Sequence, residues 1–103
     1  MTFEVRVTDR AETDVDTIFN WLAQRSREGA IHWYRAYVSS LYSLPIQALG
    51  CRAAPEAEHL GVDLRQVLFK TRRGRIYRSL FVIDGNTIYV VGVRGAGQDL
   101  ADS

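Results

Sequence analysis

The sequence predicts an α+β fold in which a helical hairpin packs on a small, mainly antiparallel twisted sheet. Three observations carry this prediction. An alternating segment near the start is followed by two stretches with helical periodicity. Three strand-like apolar runs then follow, joined by two short turns. With 103 residues the chain has the length of one domain, so we treat residues 1–103 as a single unit of order β-α-α-β-β-β.

The first two predicted elements are a strand and a helix. Residues 2–8 alternate apolar and polar side chains, which is the pattern of a half-buried strand. Asp9 and Glu12 have the spacing of a capping box, so we expect a helix from about Arg10 to Arg25. Its apolar stripe comprises Ala11, Val15, Ile18, Phe19 and Leu22.

A second helix is predicted from about Ala30 to Leu44, after a loop at 26–29 that breaks the period. Pro45 ends or kinks this helix because proline cannot donate to the preceding turn. We expect the helical trace to last to about Leu49. Its apolar stripe is predicted to comprise Ile31, Tyr34, Val38 and Leu41, with Tyr37 and Tyr42 beside it.

The second half of the chain has the pattern of three strands. Asp84–Asn86 contains an Asp-Gly pair between apolar runs, which is a strong hairpin signal, and Thr71–Gly74 makes the preceding turn. The last two runs are almost wholly apolar, so both faces of the sheet should be at least partly covered. We expect the helices on one face and a partly open groove on the other. The predicted strands are 64–70, 75–83 and 87–94.

Residues 50–63 connect the helices to these strands. The segment has no sustained period and contains Pro55 and two glycines, so we expect a loop with one turn of helix near Glu56–His59.

Positive charge is concentrated in one stretch, although the formal net charge of the whole chain is only +1. From Leu64 to Arg78 there are six cations and no acid. Arginine offers a planar fork of donors that suits phosphate or carboxylate. We therefore expect the sheet to present arginines to a polyanion, or to an acidic partner that blocks that use. The six cations are Arg65, Lys70, Arg72, Arg73, Arg75 and Arg78.

Several classes of site find no support in the sequence. Cys51 is the single cysteine, which excludes an internal disulfide and fits a reducing cytoplasm. It has no paired spacing with His32 or His59, so no metal site is predicted. No P-loop or Rossmann fingerprint is present, and no cofactor is expected. No apolar run reaches 18 residues, so we expect a cytoplasmic chain without a membrane span or signal peptide.

Arg78 and Arg94 are the strongest candidates for a catalytic site. Arg78 lies beside Leu80 and Val82 on one face of its strand, where an unpaired charge is unusual. Arg94 ends a similar apolar run. Both could converge with Arg65 near the ends of the sheet, where they would stabilise the negative charge that develops during phosphodiester cleavage.

Proton transfer in such a reaction would fall to Tyr77 or Tyr89, with Asp99 as a further candidate, because the last three strands contain no histidine. The alternative for Arg78 is an ion pair with Asp99 or Asp63 that simply supports the fold. For the cations around the first turn, the alternative is that they form a run of charges in contact with solvent and bind nothing specific.

The pattern as a whole resembles the RelE/ParE superfamily of type II toxins, over nearly the whole chain from Phe3 to Leu100. The motifs that carry the resemblance are Ala54-Pro55-Glu56 leading to Leu64-Arg65, the hairpin Tyr77-Arg78-x-Leu80-Phe81-x-Ile83-Asp84-Gly85, and the ending Val93-Arg94-Gly-Ala-Gly-Gln-Asp.

The resemblance implies a growth-inhibiting toxin of a plasmid-stabilisation-like system, neutralised by a cognate antitoxin. RelE-like members cut mRNA on the ribosome, whereas ParE-like members act on DNA gyrase. Arg65, Arg78 and Arg94 match basic positions of the family's sheet. Many relatives carry a histidine where this chain has Gly95, and that difference brings RelE-type cleavage into question.

Ribosome-dependent mRNA cleavage is the first expectation that follows. Arg65, Arg78 and Arg94 would bind the scissile phosphate, and Tyr77 or Tyr89 would aid proton transfer. The RNA itself would be held by Lys70, Arg72, Arg73 and Arg75. The alternatives are a toxin that binds DNA gyrase, or a non-catalytic relative that only binds the antitoxin. An apolar groove beside the helices should accept an antitoxin segment as a helix or a strand, and could also drive a homodimer.

Overall fold

The computed structural model describes residues 2–72 and 74–95. It confirms the predicted α+β fold: two long helices lie on one face of a four-stranded sheet, and three strands follow them in the chain. The helices are α1 (Asp9–Ala23), α2 (Arg27–Gln47), with a 3₁₀ turn at Ala48–Gly50, and the short α3 (Ala57–Leu60). The strands are β1 (Glu4–Val7), β2 (Arg65–Phe69), β3 (Tyr77–Asp84) and β4 (Thr87–Gly95).

The sheet is mixed, with strand order β1-β4-β3-β2. The last three strands are antiparallel, whereas β1 joins the edge of β4 in parallel, with Glu4 opposite Thr87. A bulge between Leu80 and Phe81 shifts the register of β3 on β4. Because β1 is short, it covers only the first half of β4, and α1 runs beside the remainder.

Thr8 joins the sheet to α1. Its backbone N–H and its hydroxyl both donate to the carbonyl oxygen of Val90, at 3.0 and 3.1 Å. The same hydroxyl oxygen accepts from the N–H of Ala11 and caps the helix. The predicted capping box at Asp9 and Glu12 is therefore wrong. Asp9 is instead the first helical residue, where its negative charge still favours the helix start.

The helical hairpin is tighter than predicted. α1 ends at Ala23, and α2 begins at Arg27, three residues before the predicted start. Ser26 explains the early start, because its hydroxyl oxygen accepts from the N–H of Gly29 at 3.0 Å. The helix continues through Pro45 to Gln47 and then tightens into the 3₁₀ turn, so the predicted continuation to about residue 49 is confirmed.

The predicted apolar stripe of α2 is wrong by about one residue. Ile31 and Tyr34 are substantially exposed, and the side chains that face the sheet come instead from the neighbouring stripe. The reason is that α2 has two partners. Tyr34 and Val38 lie toward α1, with Tyr34 packed edge-on against Phe19, while another face packs on the sheet. The buried residues of α2 are Ala30, Trp33, Tyr37, Ser40 and Leu44.

The main core lies between the helices and the sheet. Phe81, Ile88 and Val90 pack with Leu44 and Ala11, and all five side chains are fully buried. A second, aromatic cluster lies at the other end of α2 and contains Trp33, Tyr37, Phe69, Val15 and Val93.

The opposite face of the sheet is covered more than predicted. Ala54 and Leu64 pack against Leu80, and the connection between the 3₁₀ turn and β2 lies over this face. The connection is held by backbone hydrogen bonds, including Gln66 N–H to the carbonyl of Arg52. The expected open groove is therefore largely filled by the chain itself. No helix within the described ranges is long and apolar enough to cross a membrane.

Two aliphatic residues on α2 test this assignment of its faces. Leu44 is fully buried, whereas Ile46, two residues later, is 92% exposed. We expect Leu44→Ala to lower the free energy of unfolding by about 2–5 kcal/mol, because it leaves a cavity in the core. Ile46→Ala should change it by less than about 0.5 kcal/mol. Urea unfolding followed by circular dichroism measures both. Similar losses in the two variants would contradict the assignment.

Candidate functional site

Arg78 and Arg94 occupy directly opposite positions on β3 and β4. Opposite residues of an antiparallel pair lie on the same face, about 5 Å apart at Cα. Along β3, Ser79 and Phe81 alternate with Arg78 and Leu80. Ser79 and Phe81 are buried, and Phe81 packs toward the helices. The two arginines therefore lie on the face away from the helices, as the alternation predicts.

Glu56 neutralises Arg78. The two guanidinium nitrogens Nη1 and Nη2 donate to the two carboxylate oxygens, each at 2.7 Å. Nη1 also lies 3.3 Å from Gln66 Oε1. The Arg78 side chain is 14% exposed and that of Glu56 is 6% exposed. The hydrogen bonds from Arg78 lower the pKa of Glu56, against the opposing effect of burial.

Asp14 neutralises Arg94 and also completes the edge of β4. Its Oδ2 accepts from Arg94 Nη1 at 2.9 Å and from the backbone N–H of Val93 at 3.0 Å. That N–H lies beyond the end of β1, so it needs an acceptor from another element. Gly92 leaves room for the pair, because a Cβ there would lie only 3.3 Å from Asp14 Oδ2. Arg10 adds a longer contact, 3.6 Å from Oδ1.

Arg65 does not join the other two arginines. Its Nη1 donates to the carbonyl oxygens of Ala48 and Leu49, at 3.2 and 2.9 Å, in the 3₁₀ turn that follows α2. Its Nη2 lies 3.3 Å from the exposed carboxylate of Asp63. A cation at this position suits the negative end of the helix. The three predicted site arginines thus bind three different carboxylates, and their catalytic role stays a prediction that would require these pairs to open.

The partner of Arg78 is neither of the acids that the sequence suggested. Asp63 pairs with Arg65, and Asp99 lies outside the described residues. The sequence pattern indicates neither the pairing of Glu56 with Arg78 nor that of Asp14 with Arg94. Both acids are distant in sequence, 22 and 80 residues from their arginines, so no local spacing indicates the pairing.

The two candidate tyrosines lie apart from the paired arginines. Tyr77 lies on the helix side of β3, 5.5 Å from Trp33 between ring centroids, and is half-buried in the aromatic cluster. Burial raises the pKa of Tyr77, while the charge of Arg75 acts in the opposite direction. Tyr89 lies opposite Val82, five residues before Arg94, which is roughly 16 Å along a strand.

The predicted RNA-binding cations lie around the turn between β2 and β3. Lys70, Arg72 and Arg75 are exposed there, and Arg73 lies outside the described residues. Unlike the sheet arginines, these three have no carboxylate partner within the part of the chain that the structure describes. The same turn faces Trp21 and Arg25 near the end of α1, two residues that the sequence analysis did not select. Their spacing of four residues within the helix predicted from about Arg10 to Arg25 was the available signal.

Comparison with known proteins identifies the fold. No protein-family profile matches the chain, and no curated protein matches it. One chain of the solved structure of a chromosomal ParDE toxin–antitoxin system from P. aeruginosa superposes with a TM-score of 0.68. It is 19% identical, and the match covers 91% of this chain and 96% of that one. The fold expected from the RelE/ParE resemblance is therefore confirmed.

Replacing Glu56 tests whether its ion pair is part of the fold. Glu56→Gln leaves the buried Arg78 without a negative partner, so we expect a loss of about 3 kcal/mol in unfolding free energy at pH 7. Because the folded-state pKa of Glu56 lies below its usual value, this contribution is present above about pH 4–5 and is lost as the pH falls through the lowered value. The difference between wild type and variant should therefore shrink toward pH 2.

Urea unfolding from pH 2 to pH 7 measures this difference. Glu58→Gln is the matched control, because Glu58 is exposed on the neighbouring α3. A difference for Glu56→Gln that is absent at pH 7, or that stays constant over the whole pH range, would show that the pair does not contribute as described.

Proposed function

We propose that this chain is the toxin of a type II toxin–antitoxin pair, that a cognate antitoxin neutralises it, and that it arrests growth by binding a protein target. Two findings support the toxin assignment. The fold is shared with a chain of a ParDE toxin–antitoxin system over nine-tenths of the length. The motifs Ala54-Pro55-Glu56 and Val93-Arg94, through which the sequence resembles the superfamily, also carry the two buried ion pairs of the sheet.

The observation that favours binding over cleavage is the bidentate pair of Arg78 and Glu56. A guanidinium that already holds a carboxylate with both Nη donors must release it before it can hold a scissile phosphate in the same way. Breaking such a buried pair costs about 3–5 kcal/mol. Arg94 has the same constraint through Asp14. We therefore favour DNA gyrase, the target of the ParE-like members, over mRNA.

Ribosome-dependent mRNA cleavage is the second candidate, and the exposed cations of the β2–β3 turn favour it. Lys70, Arg72 and Arg75 are available to RNA phosphates without any rearrangement. In this alternative Arg65, Arg78 and Arg94 would exchange their carboxylates for the scissile phosphate on the ribosome.

The antitoxin contact is proposed at the outer edge of β2 beyond Gln66, since before that point the edge pairs with residues 52–54 of the connection. The backbone N–H of Gln66 points away from β3 and donates to the carbonyl oxygen of Arg52. Because this orientation repeats every second residue of an antiparallel strand, the backbone N–H and C=O of Leu68 also point away from β3. The Leu68 side chain is 56% exposed, and the exposed Ile46 lines the same surface groove beside it. An unpaired strand edge with adjacent apolar side chains accepts an added strand. The same edge could pair two copies of the toxin.

Growth and supercoiling assays test the proposed function. Induced expression in a bacterium should arrest growth, and co-expression of the neighbouring antitoxin gene should restore it. The purified protein should inhibit gyrase-dependent supercoiling, while primer extension on translated mRNA should show no new cleavage sites. Cleavage at codon boundaries without an effect on gyrase would establish the second candidate instead.

The Leu68→Asp variant tests the antitoxin contact in the same assay. An aspartate on the open edge disfavours strand addition without disturbing the core. The variant should remain toxic and should no longer be rescued by the antitoxin. Leu60→Asp is the control, since Leu60 is similarly exposed on α3. Equal rescue of both variants would contradict the proposed contact.

A further inference from the structure

A groove of about 690 Å³ lies between the tip of the helical hairpin and the β2–β3 turn. We call it the tip groove and define it by Trp21, Arg25, Trp33, Arg72, Arg75 and Tyr77. None of the paired sheet arginines lines it. Its volume is within the range of sites that hold small organic ligands, about 300–1,000 Å³. It is therefore large enough for a nucleotide-sized group.

The tip groove is cationic. Arg25, Arg72 and Arg75 are all exposed, and none has a carboxylate partner among residues 2–72 and 74–95. No aspartate or glutamate is among its described lining residues. Glu28 is near one side, where its Oε1 lies 4.0 Å from His32 Nε2. Two separate segments, the loop after α1 and the β2–β3 turn, thus place unneutralised guanidinium groups around one space.

The tip groove also has an aromatic surface. Trp21 is 50% exposed, and the guanidinium carbon of Arg25 lies 3.8 Å from the centre of its ring. This cation–π contact keeps the Arg25 charge beside the ring. Trp33 forms the floor and packs against Tyr77 and Phe69. The indole N–H of Trp33 is buried without an acceptor in the described part of the chain, and an oxygen of a ligand that reached the floor would supply one.

We propose that the tip groove binds a short single-stranded segment of nucleic acid. The phosphates would lie on Arg25, Arg72 and Arg75, and one base would stack against the open part of Trp21. Single-strand sites combine these same two features, a cationic path for the backbone and aromatic rings for the bases. An acidic peptide would use the arginines but would leave the half-exposed indole without a planar partner. The tip groove contains none of the paired sheet arginines, so the proposal does not require mRNA cleavage; in the second candidate function Arg72 and Arg75 would hold the same RNA.

Fluorescence anisotropy with labelled ten-nucleotide oligouridylate and oligothymidylate tests the proposal, with the dissociation constant measured over a series of NaCl concentrations. Each phosphate contact on a single strand contributes about −0.7 to the slope of log K against log salt. The double variant Arg72→Ala/Arg75→Ala should bind more weakly and reduce the size of the slope by about 1.4. Trp21→Ala should weaken binding by about 5- to 150-fold, the effect of one lost stacked base, and leave the slope unchanged.

Arg35→Ala is the charge-matched control, because Arg35 is exposed on α2 and does not line the tip groove. It should bind like the wild type, and circular dichroism should show all variants folded. Three results would overturn the proposal: an effect of Arg35→Ala comparable per charge to that of the double variant, wild-type affinity of Trp21→Ala, or displacement of the oligonucleotide by a ten-residue oligoglutamate at equal concentration. The last result would assign the groove to an acidic protein segment.

Discussion

The neutralisation of two arginines that face each other across β3 and β4 constrains the rest of this structure. Like charges directly opposite each other on a sheet repel, and both side chains are largely removed from water. Each therefore needs its own carboxylate, and the chain supplies these from two different elements. Asp14 comes from α1 at the edge of β4, and Glu56 comes from the connection that covers the outer face. The two ion pairs therefore help to fix the positions of α1 and of that connection relative to the sheet.

The same residue type has two different environments in this chain. Arg78 and Arg94 are fixed by hydrogen-bonded carboxylates and contribute to the fold. Arg72 and Arg75 are exposed beside an aromatic surface and can contact another molecule at little cost. A cluster of arginines in a sequence therefore does not by itself identify a catalytic site. The two proposals follow from this difference. The ion pairs of Arg78 and Arg94 favour a toxin that binds a protein, and the exposed Arg72 and Arg75 favour a ligand in the tip groove.

Local patterns in the sequence were enough to predict the order of the elements and the positions of the two turns between the last three strands. Alternation predicts β1, and the Asp-Gly pair predicts the β3–β4 hairpin. The buried face of α2 was predicted incorrectly because apolar residues surround that helix, and periodicity cannot say which neighbour each side meets. Trp33 and Leu44 face the sheet, whereas Tyr34 faces α1.

The ion pairs of the site were beyond local reasoning for a different reason. The pairs of Arg78 and Arg94 join residues that only the completed fold brings together, and no spacing rule relates Asp14 to Arg94. The contact between Trp21 and Arg25 could have been predicted from the sequence, because the two residues are four apart in the predicted helix and such residues are neighbours. Their importance depends on the turn at residues 71–76, which the sequence alone does not place beside them.

A double-mutant cycle on Arg78 and Glu56 tests the central claim most directly. The unfolding free energies of wild type, Arg78→Leu, Glu56→Leu and the double variant are compared by urea denaturation at pH 7. We predict that either single replacement destabilises the chain more than the double replacement does, with a coupling free energy above about 3 kcal/mol, because each single change leaves a buried charge unpaired. Additive effects with a coupling near zero would show that the two side chains are independently solvated and that their pairing does not stabilise the fold.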